Sequence, residues 1–261
     1  IDANKGAYSS AWMIIFGVIA AIMVLIGIYH IKMLPSTQVP STTKKTASEV
    51  GHELVAVIAN FFTKKHILYY ICFIILYRLA EGFIMKIAPL FLRASRDVGG
   101  LGLSLTEIGT LNGIFGSAAF VLGSLLAGIY VSKFGLKKTL FTLCCIFNLP
   151  FVAYTFLAVT QPTNVYLIGT CITMEYFGYG FGFVGLTLFM MQQIAPGKHQ
   201  MSHYAFASGI MNLGVMLPGM VSGYFSDLLG YRNFFIYVLI ATIPAFLITY
   251  FIPFTYDDSK K

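Results

Sequence analysis

The chain has 261 residues, of which 57% are hydrophobic and only 10% are charged, and its formal net charge is +7 at pH 7. A soluble domain carries about 25% charged residues, so this composition excludes a soluble protein and predicts an integral membrane protein. The positive charge does not indicate a nucleic-acid partner, because Lys and Arg occur in short connections between apolar stretches and form no basic stripe with stacking aromatics.

Seven apolar stretches are long enough to cross a bilayer, which takes about 20 residues. The predicted spans cover residues 11–31, 66–92, 105–131, 138–159, 165–194, 202–228 and 233–252. Their continuous hydrophobicity excludes barrel strands, in which apolar and polar residues alternate. We therefore predict an all-α membrane protein with about seven transmembrane helices.

The order of the spans suggests two parts of unequal size. The chain starts at Ile1 without a Met, so we interpret residues 1–35 as the last helix of a truncated N-terminal half. Residues 36–65 are rich in Ser, Thr and Lys and read as a cytoplasmic linker, in which 49–62 could form an amphipathic helix. Residues 66–253 then form a six-helix C-terminal half, and 254–261 a cytoplasmic tail. One span, a long polar connection and six further spans are the pattern expected of a transporter built from two six-helix halves, so the missing half would be a partner of this chain.

Basic residues are distributed unequally between the two groups of connections. If the 36–65 connection is cytoplasmic, eleven Lys residues lie on its side, whereas Lys5, Arg93, Arg96 and Arg232 lie on the other side. The positive-inside rule then places the linker and the C-terminus in the cytoplasm.

The predicted span over 66–92 carries three ionisable residues, Arg78, Glu81 and Lys86. Charged side chains are costly in a bilayer, so each one is a functional hypothesis. Arg78 and Glu81 are three residues apart and share a helical face. Glu81 could couple transport to substrate or protons, and Arg78 could bind an anionic group; alternatively, the two form a local ion pair that only lowers the cost of burial. Lys86 could bind an anionic group or extend to the membrane surface.

Four further polar residues lie inside predicted spans. Glu175 has no charged neighbour on its own helix, so it needs a partner from another helix, a bound substrate or a proton. Tyr176 follows it and could stack on a sugar ring. Asn112 and Asn212 could bind substrate or link helices through hydrogen bonds.

The segment GYGFGFVG at 178–185 has alternating glycines but no preceding strand, so it indicates close helix packing or a gate rather than a phosphate loop. The four Cys residues lie in apolar stretches and read as small hydrophobes. No Ser/His/Asp arrangement recurs on facing polar positions. We therefore predict that the protein is not an enzyme and has neither a cofactor nor a metal.

The segment GIYVSKFGLKK at 128–138 resembles the loop signature of the major facilitator superfamily. Ser132 stands where that signature has an Asp. This substitution weakens the charge clasp that steadies one conformation in the family. The matching residues form a candidate conformational motif: Gly128, Lys133, Gly135, Lys137 and Lys138.

More specifically, the chain resembles the C-terminal half of AmpG-type muropeptide permeases. The resemblance rests on LYRLAEGF at 76–83, SLTEIGTLN at 104–112, EYFGYGFG at 175–182 and YAFAS at 204–208, with a weaker match at 230–235. It covers residues 11–252. Carried over by position, Glu81 and Glu175 match acidic sites, Arg78 a basic site and Asn112 a polar site. Lys86 has no obvious counterpart.

The resemblance implies a secondary transporter of the bacterial inner membrane that imports peptidoglycan-derived muropeptides with protons by alternating access. Its partners would be a small-molecule solute, protons and the lipid bilayer. Related acetyl-coenzyme A transporters share part of the pattern, so another anionic solute remains an alternative. A second alternative is a sensor or scaffold on a transporter-like fold, for which Arg78 and Glu81 would pair and no cavity would open between the helices.

Overall fold

The computed structural model describes residues 8–33 and 46–256, and these ranges are helical almost throughout and contain no strand. The predicted first span, 11–31, lies within these ranges, whereas residues 1–7, 34–45 of the predicted linker region and 257–261 of the predicted tail lie outside the described residues. The chain divides into two compact units, Ile1–His52 and Glu53–Lys261. These observations confirm the prediction of an all-α membrane protein.

The helices follow one another with short connections. In chain order they are α1 (Tyr8–Met33), α2 (Ala47–Phe62), α3 (Ile67–Tyr77), α4 (Leu79–Arg93), α5 (Leu105–Ile108), α6 (Ser117–Phe134), α7 (Leu136–Asn148), α8 (Phe151–Thr160), α9 (Val165–Phe189), α10 (Gln200–Ala241) and α11 (Ile243–Tyr250). Two π-helical segments, Gly109–Gly116 and Met190–Ile194, join α5 to α6 and extend α9.

Within the described ranges, five helical stretches are long and apolar enough to cross a membrane: Ser9–Met33, Ile67–Arg93, Leu105–Phe134, Leu136–Thr160 and Gln200–Tyr250. The last of these has 51 residues and turns at Gly230, whose φ of 69° and ψ of 161° are not helical. It therefore contains the two spans predicted at 202–228 and 233–252. The 25-residue α9 is long enough but less apolar than the five, because Glu175 and its glycines lower its hydropathy. If the 51-residue stretch is counted as two spans and α9 is added, the described ranges contain seven spans, which matches the predicted number of about seven.

Two hydrophobic clusters form the core of the second unit. One joins α3, α7 and the end of α9, with Phe73, Phe147 and Phe189 at its centre. The other joins α4, α8 and the part of α10 that follows Gly230, around Phe91 and Phe235. Buried α3 residues belong to the first cluster and buried α4 residues to the second. The α3–α4 junction therefore lies between them.

The connections fall into two groups at opposite ends of this bundle. At one end, the Lys64 Nζ donates to the carbonyl oxygens of Ile194 and Pro196, the latter at 2.7 Å. At the other end, Arg96 donates to the carbonyl oxygens of Gln161 and Pro162, both at 2.9 Å. Burial lowers the pKa of Lys64 from its usual value. This grouping matches the two sides that the distribution of basic residues predicts; the cytoplasmic orientation itself stays a prediction.

Close packing of α9 depends on its glycines, as the alternating pattern predicts. A Cβ at Gly180 would lie 2.1 Å from the carbonyl oxygen of Phe120 on α6, and one at Gly182 would lie 2.3 Å from the Phe147 Cβ on α7. Missing side chains thus let three helix backbones approach one another, which is a common way to pack helices in membranes.

We expect Gly180→Ala to lower the free energy of unfolding by about 1–3 kcal/mol, because the added methyl group must push α6 away from α9. Unfolding in detergent with increasing sodium dodecyl sulfate measures this change. Gly209→Ala on α10 is the matched control, since a Cβ there meets nothing within 4 Å. It should be neutral or slightly stabilising, because Ala favours helix over Gly. Equal losses in both variants would contradict the packing role.

Candidate functional site

The site is built around a break between α3 and α4. Arg78 joins the two helices with φ −103° and ψ 6°, so the helical path is interrupted in mid-span. Its side chain turns to Glu81 in the first turn of α4. The Nε donates to Glu81 Oε2 at 2.6 Å, and the Nη2 donates to Oε1. Both residues are buried, with only 4% and 5% of their surface exposed. This is the local ion pair that was predicted as the alternative to a role of Glu81 in coupling and of Arg78 in anion binding.

Aromatic side chains of α9 surround the guanidinium group. The Arg78 Cζ lies 5.4 Å from the centre of the Phe183 ring, an attractive cation–π arrangement. Its Nη2 also lies 3.5 Å from the hydroxyl of Tyr179. The Tyr179 ring contacts Phe120 and Phe147 at 5.3 and 5.8 Å between ring centres. The guanidinium therefore has a carboxylate and aromatic rings as neighbours and is held firmly in place.

Asn112 belongs to the same site and lies in a π-helical segment. Ser104 and Glu107 form a capping box that starts α5, and the helix then widens at Gly109–Gly116. Such widened turns often occur at functional sites. The Asn112 Oδ1 is buried and has no hydrogen-bond partner among the described residues. An unsatisfied buried carbonyl costs free energy, so this atom is suited to accept a hydrogen bond from a ligand or water.

These elements line a partly open cavity of about 170 Å³. Its polar lining comes from four helical elements and comprises Glu81, Asn112, Tyr154, Glu175, Tyr176 and Tyr179. Apolar side chains of α4, including Ile84, Ala88 and Pro89, complete the wall. The space holds several water molecules or one functional group of a ligand, and it is smaller than a whole pocket for a drug-sized molecule.

Glu175 differs from Glu81 in its surroundings. It projects from α9 into the same cavity, but its carboxylate forms no hydrogen bond or ion pair with any residue that the structure describes. The guanidinium group of Arg78 is bound to Glu81. Two acidic groups thus line one small cavity, and only one of them has a counterion. A carboxylate without a counterion needs a proton, a bound ligand or a partner outside the described residues, and the role of Glu175 stays a prediction.

Four of the seven predicted site residues therefore line one cavity, and Arg78 is tied to it through Glu81. Tyr154 was not predicted. It is buried on α8, where it stacks on Phe235 with ring centres 5.5 Å apart. Its position in a run of hydrophobic residues carries no signal that distinguishes it from a core tyrosine.

The other two predicted residues, Lys86 and Asn212, do not line this cavity. Lys86 is exposed, and its aliphatic chain lies against Gly219 of α10, with 3.4 Å between the Lys86 Cγ and the position of an added Cβ. Asn212 is also exposed, on α10. The roles of both residues stay predictions.

The predicted loop motif lies at the end of the bundle where α6 passes into α7. Gly135 connects the two helices with a φ of 78°, a conformation that favours glycine. Lys133, Lys137 and Lys138 are exposed around it. Ser132 donates to the carbonyl oxygen of Ile129 at 2.8 Å. The motif is thus a tight turn with three lysines, and its conformational role stays a prediction.

Comparison with known proteins identifies relatives that are named as permeases or transporters. The chain is 22% identical to the anhydromuropeptide permease of Escherichia coli (strain K12) over 209 residues, which are 80% of this chain and 41% of that protein. It is 24% identical to putative transporter AmpG 1 of Rickettsia bellii over 232 residues, 87% of this chain and 53% of that protein. Putative transporter AmpG 2 of Rickettsia prowazekii is also 24% identical, over 76% of this chain.

No family model matches the sequence. The chain spans about half the length of the curated relatives it matches. The similarity confirms the predicted resemblance to AmpG-type permeases, and with the apolar helices it supports a multi-pass protein of membrane transport.

Proposed function

Starting from the similarity to AmpG-type permeases, we propose that this chain is the substrate-binding C-terminal part of a secondary transporter. The transporter would import an anhydro-sugar muropeptide, or a similar sugar–peptide solute, across the bacterial inner membrane. One observation carries the proposal: a cavity inside the bundle brings Glu81, Asn112 and Glu175 together from three helical elements. Intramembrane acidic groups that face a cavity are typical of solute and proton pathways.

Proton symport by alternating access is the mechanism that this cavity supports best. Glu175 has no counterion among the described residues, so it can take up a proton from the outside and release it to the inside. Glu175 is half-buried, and protonation removes its negative charge, which lowers the cost of closing the cavity around it. The Arg78–Glu81 pair would then act as a fixed element that holds the α3–α4 break. The halves would alternate around a central site, with 1–35, 36–65 and 66–253 as the parts this chain contributes.

Asn112 is the residue we assign to hydrogen bonding with the solute. Its unsatisfied Oδ1 accepts a hydroxyl or amide proton, both of which sugar–peptide solutes carry. Tyr176 and Tyr179 line the same wall and offer aromatic faces to a sugar ring. A local ion pair alone would also suit a sensor or scaffold, but such a protein has no need of a polar cavity, and this one has it.

Uptake of radiolabelled anhydromuropeptide tests the proposal. Cells that lack their own permease should accumulate it when they express this chain together with the N-terminal half that we propose. In the same assay, Asn112→Ala should raise the KM by about 5- to 30-fold, because a buried hydrogen bond worth about 1–2 kcal/mol is lost.

Asn233→Ala is the matched control, because this exposed asparagine donates only to the carbonyl oxygen of Leu229, outside the cavity. Its KM should not change. No accumulation by the unmodified protein, or accumulation of acetyl-coenzyme A in place of the muropeptide, would contradict the proposed substrate.

A further inference from the structure

A second polar cavity, of about 650 Å³, opens beside the turn between α6 and α7. It lies away from the cavity that contains Glu175 and shares no lining residue with it. Its lining combines two lysines and two uncharged polar side chains with apolar side chains of α9: Lys133, Lys138, Ser132, Gln192, Val184 and Leu188.

The charge of this cavity is unbalanced. Lys133 and Lys138 are both exposed, and neither forms an ion pair with a residue that the structure describes. No Asp or Glu is among the lining residues. Ser132 lies in the last turn of α6, and its hydroxyl group donates to the carbonyl oxygen of Ile129. Two ammonium groups therefore share one cavity without a protein counterion, and an anion bound between them would lower their mutual repulsion.

The cavity lies at the ends of two spanning stretches, and this position favours a lipid phosphate as the bound anion. It lies between the end of the stretch Leu105–Phe134 and the start of Leu136–Thr160, both long and apolar enough to cross a membrane. The ends of spanning helices lie at the level of lipid headgroups. Phe134 is 55% exposed at this level, so the cavity borders an apolar surface. A lipid offers both parts of a matching ligand, a phosphate for the lysines and glycerol and acyl carbons for the apolar side.

We propose that the cavity between the α6–α7 turn and the end of α9 binds the headgroup of an anionic phospholipid. Lys133 and Lys138 contact the phosphate, the Gln192 amide donates a hydrogen bond, and Val184 and Leu188 contact the start of the acyl chains. Basic pockets between transmembrane helices bind anionic lipids in this way. The proposal does not depend on the transported solute, because it concerns the lipid composition in which the chain is stable.

Thermal unfolding of the purified chain in mixed micelles tests this site. Micelles of dodecyl maltoside with phosphatidylglycerol should raise the Tm by about 3 °C over micelles with phosphatidylcholine, because the lipid binds only the folded state. The double variant Lys133→Gln, Lys138→Gln should lose most of this difference. A matched double variant, Lys65→Gln with Lys198→Gln, removes two exposed lysines from the same end of the bundle and should keep it.

A second variant keeps the test decisive if the double variant folds poorly. Ser132→Asp places a carboxylate beside the two lysines, so the chain should become equally stable in both lipids. Equal Tm values of the unmodified chain in the two lipids would overturn the proposal. An equal loss in the matched control would overturn it too, because any surface lysine would then serve. If 10 mM inorganic phosphate in phosphatidylcholine micelles reproduces the full shift, the ligand is a free anion and the lipid assignment is wrong.

Discussion

Glu81→Gln should lower the free energy of unfolding by about 3–5 kcal/mol, because it leaves Arg78 as a buried cation without a counterion. The amide keeps the shape of the carboxylate, but only its oxygen can accept a hydrogen bond from Arg78, its NH2 group faces a second donor, and the negative charge is lost. Arg78 is only 4% exposed, so water cannot replace the lost partner. Unfolding of the purified chain by sodium dodecyl sulfate, followed by circular dichroism, measures the change.

Removing both charges separates this effect from a loss of packing. The double variant Arg78→Met, Glu81→Leu should recover most of the lost free energy, since apolar pairs of similar volume commonly replace buried ion pairs at little cost. If Glu81→Gln is as stable as the unmodified chain, the pair seen between the two residues does not hold the α3–α4 junction. A loss of uptake in Glu81→Gln is therefore uninformative about proton coupling unless stability is measured alongside.

The helical architecture could be predicted because lipid imposes a simple length rule on sequence. Each predicted span is recognised by a continuous apolar run, and the structure has helices over all of those it describes. Their interruptions were harder to predict. The break at Arg78 and the π-helical segment around Asn112 depend on contacts between helices, which have no local signature. The break near Gly230 could be predicted, because a short polar connection separates two apolar runs there.

The polar residues of the site could be recognised, but their grouping could not. Glu81, Asn112 and Glu175 are conspicuous because polar side chains are rare inside apolar spans. That they line one cavity depends on how α4, the π-helical segment and α9 pack. Helical spacing did predict that Arg78 and Glu81 share a face, and they form an ion pair. Tyr154 could not be predicted from the sequence. The chain has 16 tyrosines, and one that lines a cavity has the same kind of local sequence as one that only packs in the core.

Glu175→Gln should abolish uphill uptake while leaving the fold intact. Its carboxylate has no hydrogen bond or ion pair within the described residues, so the neutral amide breaks no contact that the structure shows. The free energy of unfolding should stay within about 1 kcal/mol of the unmodified value or rise, since a half-buried charge without a counterion is unfavourable. Accumulation of labelled muropeptide should fall by at least about tenfold, because the amide cannot carry a proton through the cavity.

The conservative variant Glu175→Asp separates proton transfer from side-chain shape. It keeps a titratable group with a shorter reach, so part of the uphill uptake should return, whereas Gln, which has the length of Glu, should show none. Exchange of labelled for unlabelled solute across the membrane should persist in Glu175→Gln. The amide is permanently neutral and resembles protonated Glu175, so the cavity can still close and reopen around the solute. Full accumulation by Glu175→Gln would remove Glu175 from the proton path. Since Glu81 is bound to Arg78, the cavity would then hold no free carboxylate, and coupling would have to reside outside the residues described.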